Sequence, residues 1–242
     1  MNKQKRLLCI TLAIAMVVSS SVTAFASSEA GNPYNLTVLE DDESQKVVRT
    51  SDDNYIYITT HNKADNTMQV TTVDKVTHVS VEGAEVCGED FIVSGPQARA
   101  SIYENTFTNY EYTKVYGNPN EWELRRPDGS LLGTYYFKTY EVAANQNYLT
   151  AFKSAVDTIN TKEGEIITAY GLVILADIAA AAVSAGAIAT GGVLTPAAWA
   201  SILTAAGANT AYIAVVVAWN NACKTAYDKY FETYTKSPTI FY

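Results

Sequence analysis

Histidine and cysteine are scarce in this sequence, with two of one and three of the other among 242 residues. That scarcity excludes most His/Cys metal centres and most Cys–His nucleophilic pairs. His61 and His78 fall in predicted strands or turns, with no Cys or carboxylate spacing around them of the kind zinc needs. Gly-x-Ser-x-Gly, phosphate-cradling glycine loops and His-Glu-x-x-His are absent as well. No reactive constellation can be assembled, so the chain reads as a non-enzyme with no cofactor and no metal. Asp52-Asp53-Asn54 and the acidic run Glu40 to Glu43 lack EF-hand spacing and read as solvated loops.

Positive charge is also in short supply, 17 Lys and Arg against 25 Asp and Glu. Phosphate binding rests on basic clusters, so nucleic acid is excluded as a partner. Simple electrostatic capture by an anionic bilayer is disfavoured for the same reason. Three of the cations, Lys3, Lys5 and Arg6, stand before an apolar run, Leu7 to Val18, and a small-x-small site, Ala24-Phe25-Ala26. This is the layout of a signal peptide, residues 1–26, cut after Ala26 and implying a secreted product. The alternative, an uncleaved anchor, needs a longer apolar core, ~20 residues. Cleavage takes three positive charges from a formal net of −8 and leaves −11.

Cys9 leaves with that segment, and Cys87 and Cys223 remain. In an exported chain they form either a disulfide or two separate buried thiols.

The expected fold class is α+β. Residues 27–33 are a small, polar, flexible lead-in. A β-rich domain follows at 34–144. Tyr55 to Thr60, Met68 to Val73, Val76 to Val81, Phe91 to Val93, Phe107 to Tyr116, Glu121 to Arg125 and Leu131 to Tyr140 are rich in β-branched and aromatic residues, with turn residues between them. Short antiparallel strands at this spacing predict a sandwich or barrel. Tyr110, Tyr112, Trp122, Tyr135 and Tyr136 are either core and cross-strand packing or a stacking surface for a sugar or peptide.

At Asn145 the period changes, opening an α-helical domain at 145–236, with 237–242 as a tail. Leu149, Phe152, Val156 and Ile159 make one buried helical stripe, and Gly164 permits a break after it. Between Asp177 and Lys224 there is no charged side chain at all. The spacing predicts a long apolar helical hairpin over 166–219, folded at Gly191 to Pro196, with Thr195 as N-cap and Pro196 as first residue of the second helix. Each arm is long enough to cross a hydrocarbon core of ~30 Å.

A span this poor in charge hides in a membrane, in a partner or under its own chain. Small residues such as Ala182, Gly186, Gly207 and Ala211 favour close helix packing in lipid and in water alike. Asp177 and Asn209 stand equally far from the turn, so straight antiparallel arms bring them face to face, as a clasp or as a pore-lining position. The charges after Trp219 mark where the helix should leave the apolar environment. The residues that a membrane-active hairpin singles out are Asp177, Gly186, Gly191, Gly192, Pro196, Trp199, Gly207, Asn209 and Trp219.

A signal peptide, a Tyr/Thr-rich β region and then Tyr148-Leu149-Thr150-Ala151-Phe152-Lys153-Ser154-Ala155-Val156-Asp157-Thr158-Ile159-Asn160, running into a Gly/Ala-rich hairpin, is a layout that resembles the geobacillin-type large secreted bacteriocins. The resemblance implies a secreted, heat-labile antimicrobial protein acting on related bacteria, and it supplies no catalytic residues. The expected partner is then a target membrane or a membrane receptor, with an oligomer on the membrane as one arrangement. The reading from a different class is a non-lytic extracellular or cell-surface binding module whose helices are an ordinary core.

Overall fold

The computed structural model describes residues 34–83, 86–87, 101–128 and 134–242. The signal segment 1–26, the lead-in 27–33 and the strand expected at Phe91 to Val93 lie outside them, as does Gly129 of the turn after Pro127.

The β region forms two antiparallel sheets. The first has the order β1-β2-β3-β4-β5, from Thr37–Asp41, Gln45–Ser51, Tyr55–Asn62, Thr67–Asp74 and Ser80–Glu82. β6, Val86–Cys87, also pairs with β4, at Thr67 and Met68, while β5 pairs at Thr71 to Val73. Aspartates set its turns. The side chain of Asp42 accepts from the amides of Ser44 and Gln45, Asp52 from Asn54 and Tyr55, and Asp74 from Val76 and Thr77, all at 2.7–2.9 Å. Such turns consume the carboxylates that the acidic loops carry.

The second sheet is a meander in the order β10-β9-β8-β7, from Ser101–Asn105 (β7), Glu111–Val115 (β8), Glu121–Pro127 (β9) and Thr134–Tyr140 (β10). Phe241 of the tail adds one bridge to Lys138 at its edge.

Four helices follow. α1 runs Gln146–Tyr170, α2 Leu172–Ser184, α3 Pro196–Ala205 and α4 Ile213–Lys236, with one 3-10 turn at Thr210–Tyr212. The stripe on α1 is as the periodicity requires, with Leu149, Phe152, Val156 and Ile159 all fully buried. Asn145 precedes it with its amide bonded to Tyr140 O and Ser237 Oγ, tying the start of α1 to the end of α4.

The helices correct the expected hairpin. α1 passes through Gly164 without a break and ends at Gly171, whose φ of 88° stops a right-handed helix. Gly186, Gly191 and Gly207 also have positive φ. The two long arms are therefore cut into α2, α3, a 3-10 turn and the head of α4, and no helix among the described residues is long and apolar enough to cross a membrane. Thr195 does cap α3, its Oγ1 accepting from Ala198 N, with Pro196 at the first position. Burial does not stop at Trp219 either. Ala222, Cys223, Ala226, Tyr230 and Thr233 continue the inner face of α4, because charged residues take only its outer side.

The sandwich or barrel also needs correction. The first sheet packs on α2 and α3, the second on α1 and α4, and the helices pack on each other, so helices join the two sheets. One core results, running from Val48 and Met68 through Ile178, Trp199 and Trp219 to Leu124 and Phe137. The change at residue 145 is thus a boundary in secondary structure that the hydrophobic core crosses.

Candidate functional site

The feature that sets this chain apart is the charge-free stretch and what surrounds it. In α2, Ile178, Ala179, Ala180, Ala181 and Ala182 are fully buried, as are Ala198, Trp199, Ala200, Ile202 and Leu203 in α3. Trp199 packs edge-on against Trp219 of α4, with ring centroids 5.7 Å apart. Its indole Nε1 is buried without a hydrogen-bond partner, so the ring serves here as apolar mass.

Polar contacts at four places fasten this stretch to the first sheet. Ser201 Oγ on α3 lies 2.7 Å from Thr59 Oγ1 on β3 and donates to Val48 O on β2 at 3.2 Å. Ser184 Oγ, at the end of α2, accepts from Val70 N at 3.2 Å, in the part of β4 left between its pairings with β5 and β6. His61 sets Nδ1 3.3 Å from Ala205 O and Nε2 3.0 Å from Asn66 Oδ1. Thr195 adds a hydroxyl contact to Tyr57 OH at 3.1 Å, which donates in turn to Asp52.

Asp177 sits on the same side. It is buried, its neighbours are the Asn66 amide and the His61 ring, and its Oδ1 has no hydrogen-bond partner. The predicted pairing with Asn209 is not formed. Asn209 instead caps the 3-10 turn, accepting from Ala211 N at 2.8 Å, and its backbone carbonyl accepts from Tyr170 OH at 3.0 Å. Equal distance from a turn fixes equal depth only for straight arms, and Gly207 bends the second one.

The glycines differ in role. A Cβ on Gly191 would lie 2.6 Å from Tyr227 Cδ1, so the chain there passes directly under a ring of α4. Gly192 follows, its carbonyl accepting from Asn220 Nδ2, while Asn220 Oδ1 accepts from Leu194 N. Gly171 and Gly207 have nothing within 4 Å of such a Cβ and owe their identity to φ alone.

On the opposite side, Glu163 of α1 joins the stretch to the second sheet. Its carboxyl accepts from Phe107 N at 2.6 Å, Thr108 N at 3.2 Å, Thr108 Oγ1 at 2.9 Å and Trp219 Nε1 at 3.3 Å. Burial pushes its pKa up to about 7 against the pull of these four donors. Tyr110 OH nearby donates to Ile188 O at 2.8 Å.

Sequence reasoning missed Glu163, although the signal was present, since it stands four residues after Ile159 and three before Ile166 on the buried stripe. Ser184, Ser201 and Asn220 carried no such signal. The tyrosine surface divides, with Tyr110, Tyr112 and Trp122 in the core and Tyr135 and Tyr136 exposed.

Cys223 is a fully buried free thiol beside Glu163 and Thr108, so the Cys87–Cys223 bridge is not made. The physical reason is placement. Cys223 faces the second sheet's side of the core, whereas Cys87 belongs to a strand of the first; the Cys87 side chain itself lies outside the described residues.

A groove of about 600 Å³ runs beside the end of α1, lined by Thr161, Gly164, Glu165, Thr168, Ala169 and Tyr212. Glu165 in it is already bonded to Lys162 at 2.6 Å. Among the described residues no group of three or more His, Cys, Asp or Glu could hold a metal ion. The charge-free stretch thus lies between two sheets that are fastened to it by different contacts. No family model, no curated protein and no solved structure matches the chain.

Proposed function

We propose that this chain is a secreted antimicrobial protein of the bacteriocin type that permeabilises target membranes through its charge-free helical stretch. The observation that carries the reading is the absence of any charged side chain between Asp177 and Lys224, within a 166–219 stretch whose two arms are each long enough for one membrane crossing at 1.5 Å per residue. In this reading the long hairpin over 166–219 is the form taken in lipid, and the broken helices are the form taken in water. The partner is a target membrane or a receptor on it, with oligomerisation on the membrane, and the protein has no catalytic role. The acidic balance of the chain means that docking needs more than charge attraction.

The test is direct. Purified protein should release dye from vesicles or depolarise and kill a related strain, and protein that does neither at any concentration removes the reading.

The second reading is a non-lytic extracellular binding module. It is favoured by the burial of α2 and α3 in one continuous core, and by the exposed Tyr135 and Tyr136 of β10. It predicts glycan or peptide binding that Tyr135→Ala weakens, without membrane partition.

A further inference from the structure

We propose that the first sheet is a removable cover over α2 and α3, and that it parts from them at the seam of Ser184, Ser201 and His61 to free the charge-free stretch; this rests on the membrane reading above. Two fastenings compete. The seam on the first sheet consists of separate hydroxyl, imidazole and backbone contacts: Ser201 to Thr59 and Val48, Ser184 to Val70, His61 to Ala205 and Thr195 to Tyr57, with Asp177 buried beside His61 and Asn66. The fastening to the second sheet is the Glu163 carboxyl, which takes three of its four donors from the turn between β7 and β8, together with Phe137 of β10 packed edge-on against Tyr230 of α4 at 4.9 Å. These donors converge on one buried side chain, whereas the bonds of the seam are separate and can be exchanged one at a time. The seam of separate bonds is the one to part.

Parting there leaves few orphans. The hydroxyls of Ser184 and Ser201 can turn back to carbonyls one turn earlier in their own helices, as serine does in apolar surroundings. On the sheet side, Val48 O and Val70 N pass to water. The inner face of the cover is itself half polar, since Thr50 and Thr59 alternate with Val48 and Tyr57, so wetting it costs less than wetting an all-apolar face.

The joints are in place as well. Gly171 and Gly207 flank α2 and α3, both at positive φ and both uncrowded, and straightening at Gly207 sets α3 in line with α4. That supplies the helix length which the covered form lacks.

The experiment is a disulfide lock, Thr59→Cys with Ser201→Cys, placed where the two hydroxyl oxygens already touch. Carboxyfluorescein release is read from phosphatidylglycerol/phosphatidylethanolamine vesicles, and depolarisation from cells of a sensitive strain. The bridge is confirmed by mass before reduction, and each single variant serves as a control. Oxidised double variant should lose release and depolarisation, and reduction should restore both, which also shows that the variant folds. Equal activity in the oxidised and reduced forms overturns the proposal while leaving the function standing. Wild type without either activity overturns the function and the proposal together. Ser201→Ala, which keeps a good helix former, reads the opposite direction: faster release supports the cover, and an unchanged rate counts against it.

Discussion

Glu163 accepts a hydrogen bond of 2.6 Å from the backbone amide of Phe107, which joins α1 to the turn between β7 and β8. The carboxyl is 2% exposed, and burial lifts its pKa from 4.5 to about 7. The folded state therefore holds a proton that the unfolded state gives up between these two values. Stability from this group is greatest below pH 4.5, declines as pH rises to 7, and is flat above, a change of about 3 kcal/mol. Urea unfolding at pH 5 and pH 8 should show this difference in wild type and a much smaller one in Glu163→Gln. A wild type more stable at pH 8 than at pH 5 would reverse the sign and refute the assignment.

Asp177 is buried with one oxygen unbonded and no cation within salt-bridge distance among the described residues. Asp177→Asn keeps the shape and removes the charge, so it should stabilise the protein at pH 8 by about 1–3 kcal/mol. Thermal unfolding at that pH measures it, and a lower midpoint would refute it.

Gly191 and Gly207 provide a matched comparison. Both have positive φ, but only at Gly191 does an added Cβ meet a ring. Gly207→Ala should cost about 1 kcal/mol from backbone strain alone. Gly191→Ala should cost about 3 kcal/mol, since Tyr227 must also move. Equal losses in denaturant titrations would show that Tyr227 yields freely.

Cys223 is wholly buried and its thiol is pushed well above its ordinary pKa, first by burial and then by Glu163. Iodoacetamide at pH 8 should leave the peptide carrying Cys223 unmodified in native protein and alkylate it in denaturant. Recovery of a Cys87–Cys223 peptide pair under non-reducing digestion would contradict the structure.

Much of this fold was legible. β-branched and aromatic content marked β3 and β4, the stripe of Leu149, Phe152, Val156 and Ile159 marked α1, and Thr195-Pro196 marked the start of α3, because each signal is local. The charge-free stretch had no phase. When almost every residue of α2 is apolar, periodicity cannot say where a helix stops, and the stops at Gly171 and Gly207 depend on φ values that the surrounding fold selects. Alternation in β9 showed that one face is buried without showing what buries it, which is why a sandwich was expected where helices intervene. Asp177 drew attention as a lone charge, yet its neighbours His61 and Asn66 come from a strand and a turn more than a hundred residues earlier.

The bond from Ser201 Oγ to Val48 O spans 153 residues of sequence. The inner face of the first sheet has no lid until α3 exists, and α3 has no seat until that sheet has formed. Neither half can be completed on its own, so the slow event in folding is a meeting of distant segments rather than the growth of any one element. A chain built this way spends a long interval without its tertiary structure, during which the alanine-rich stretch is open to whatever apolar surface reaches it first, a chaperone or another copy of the chain.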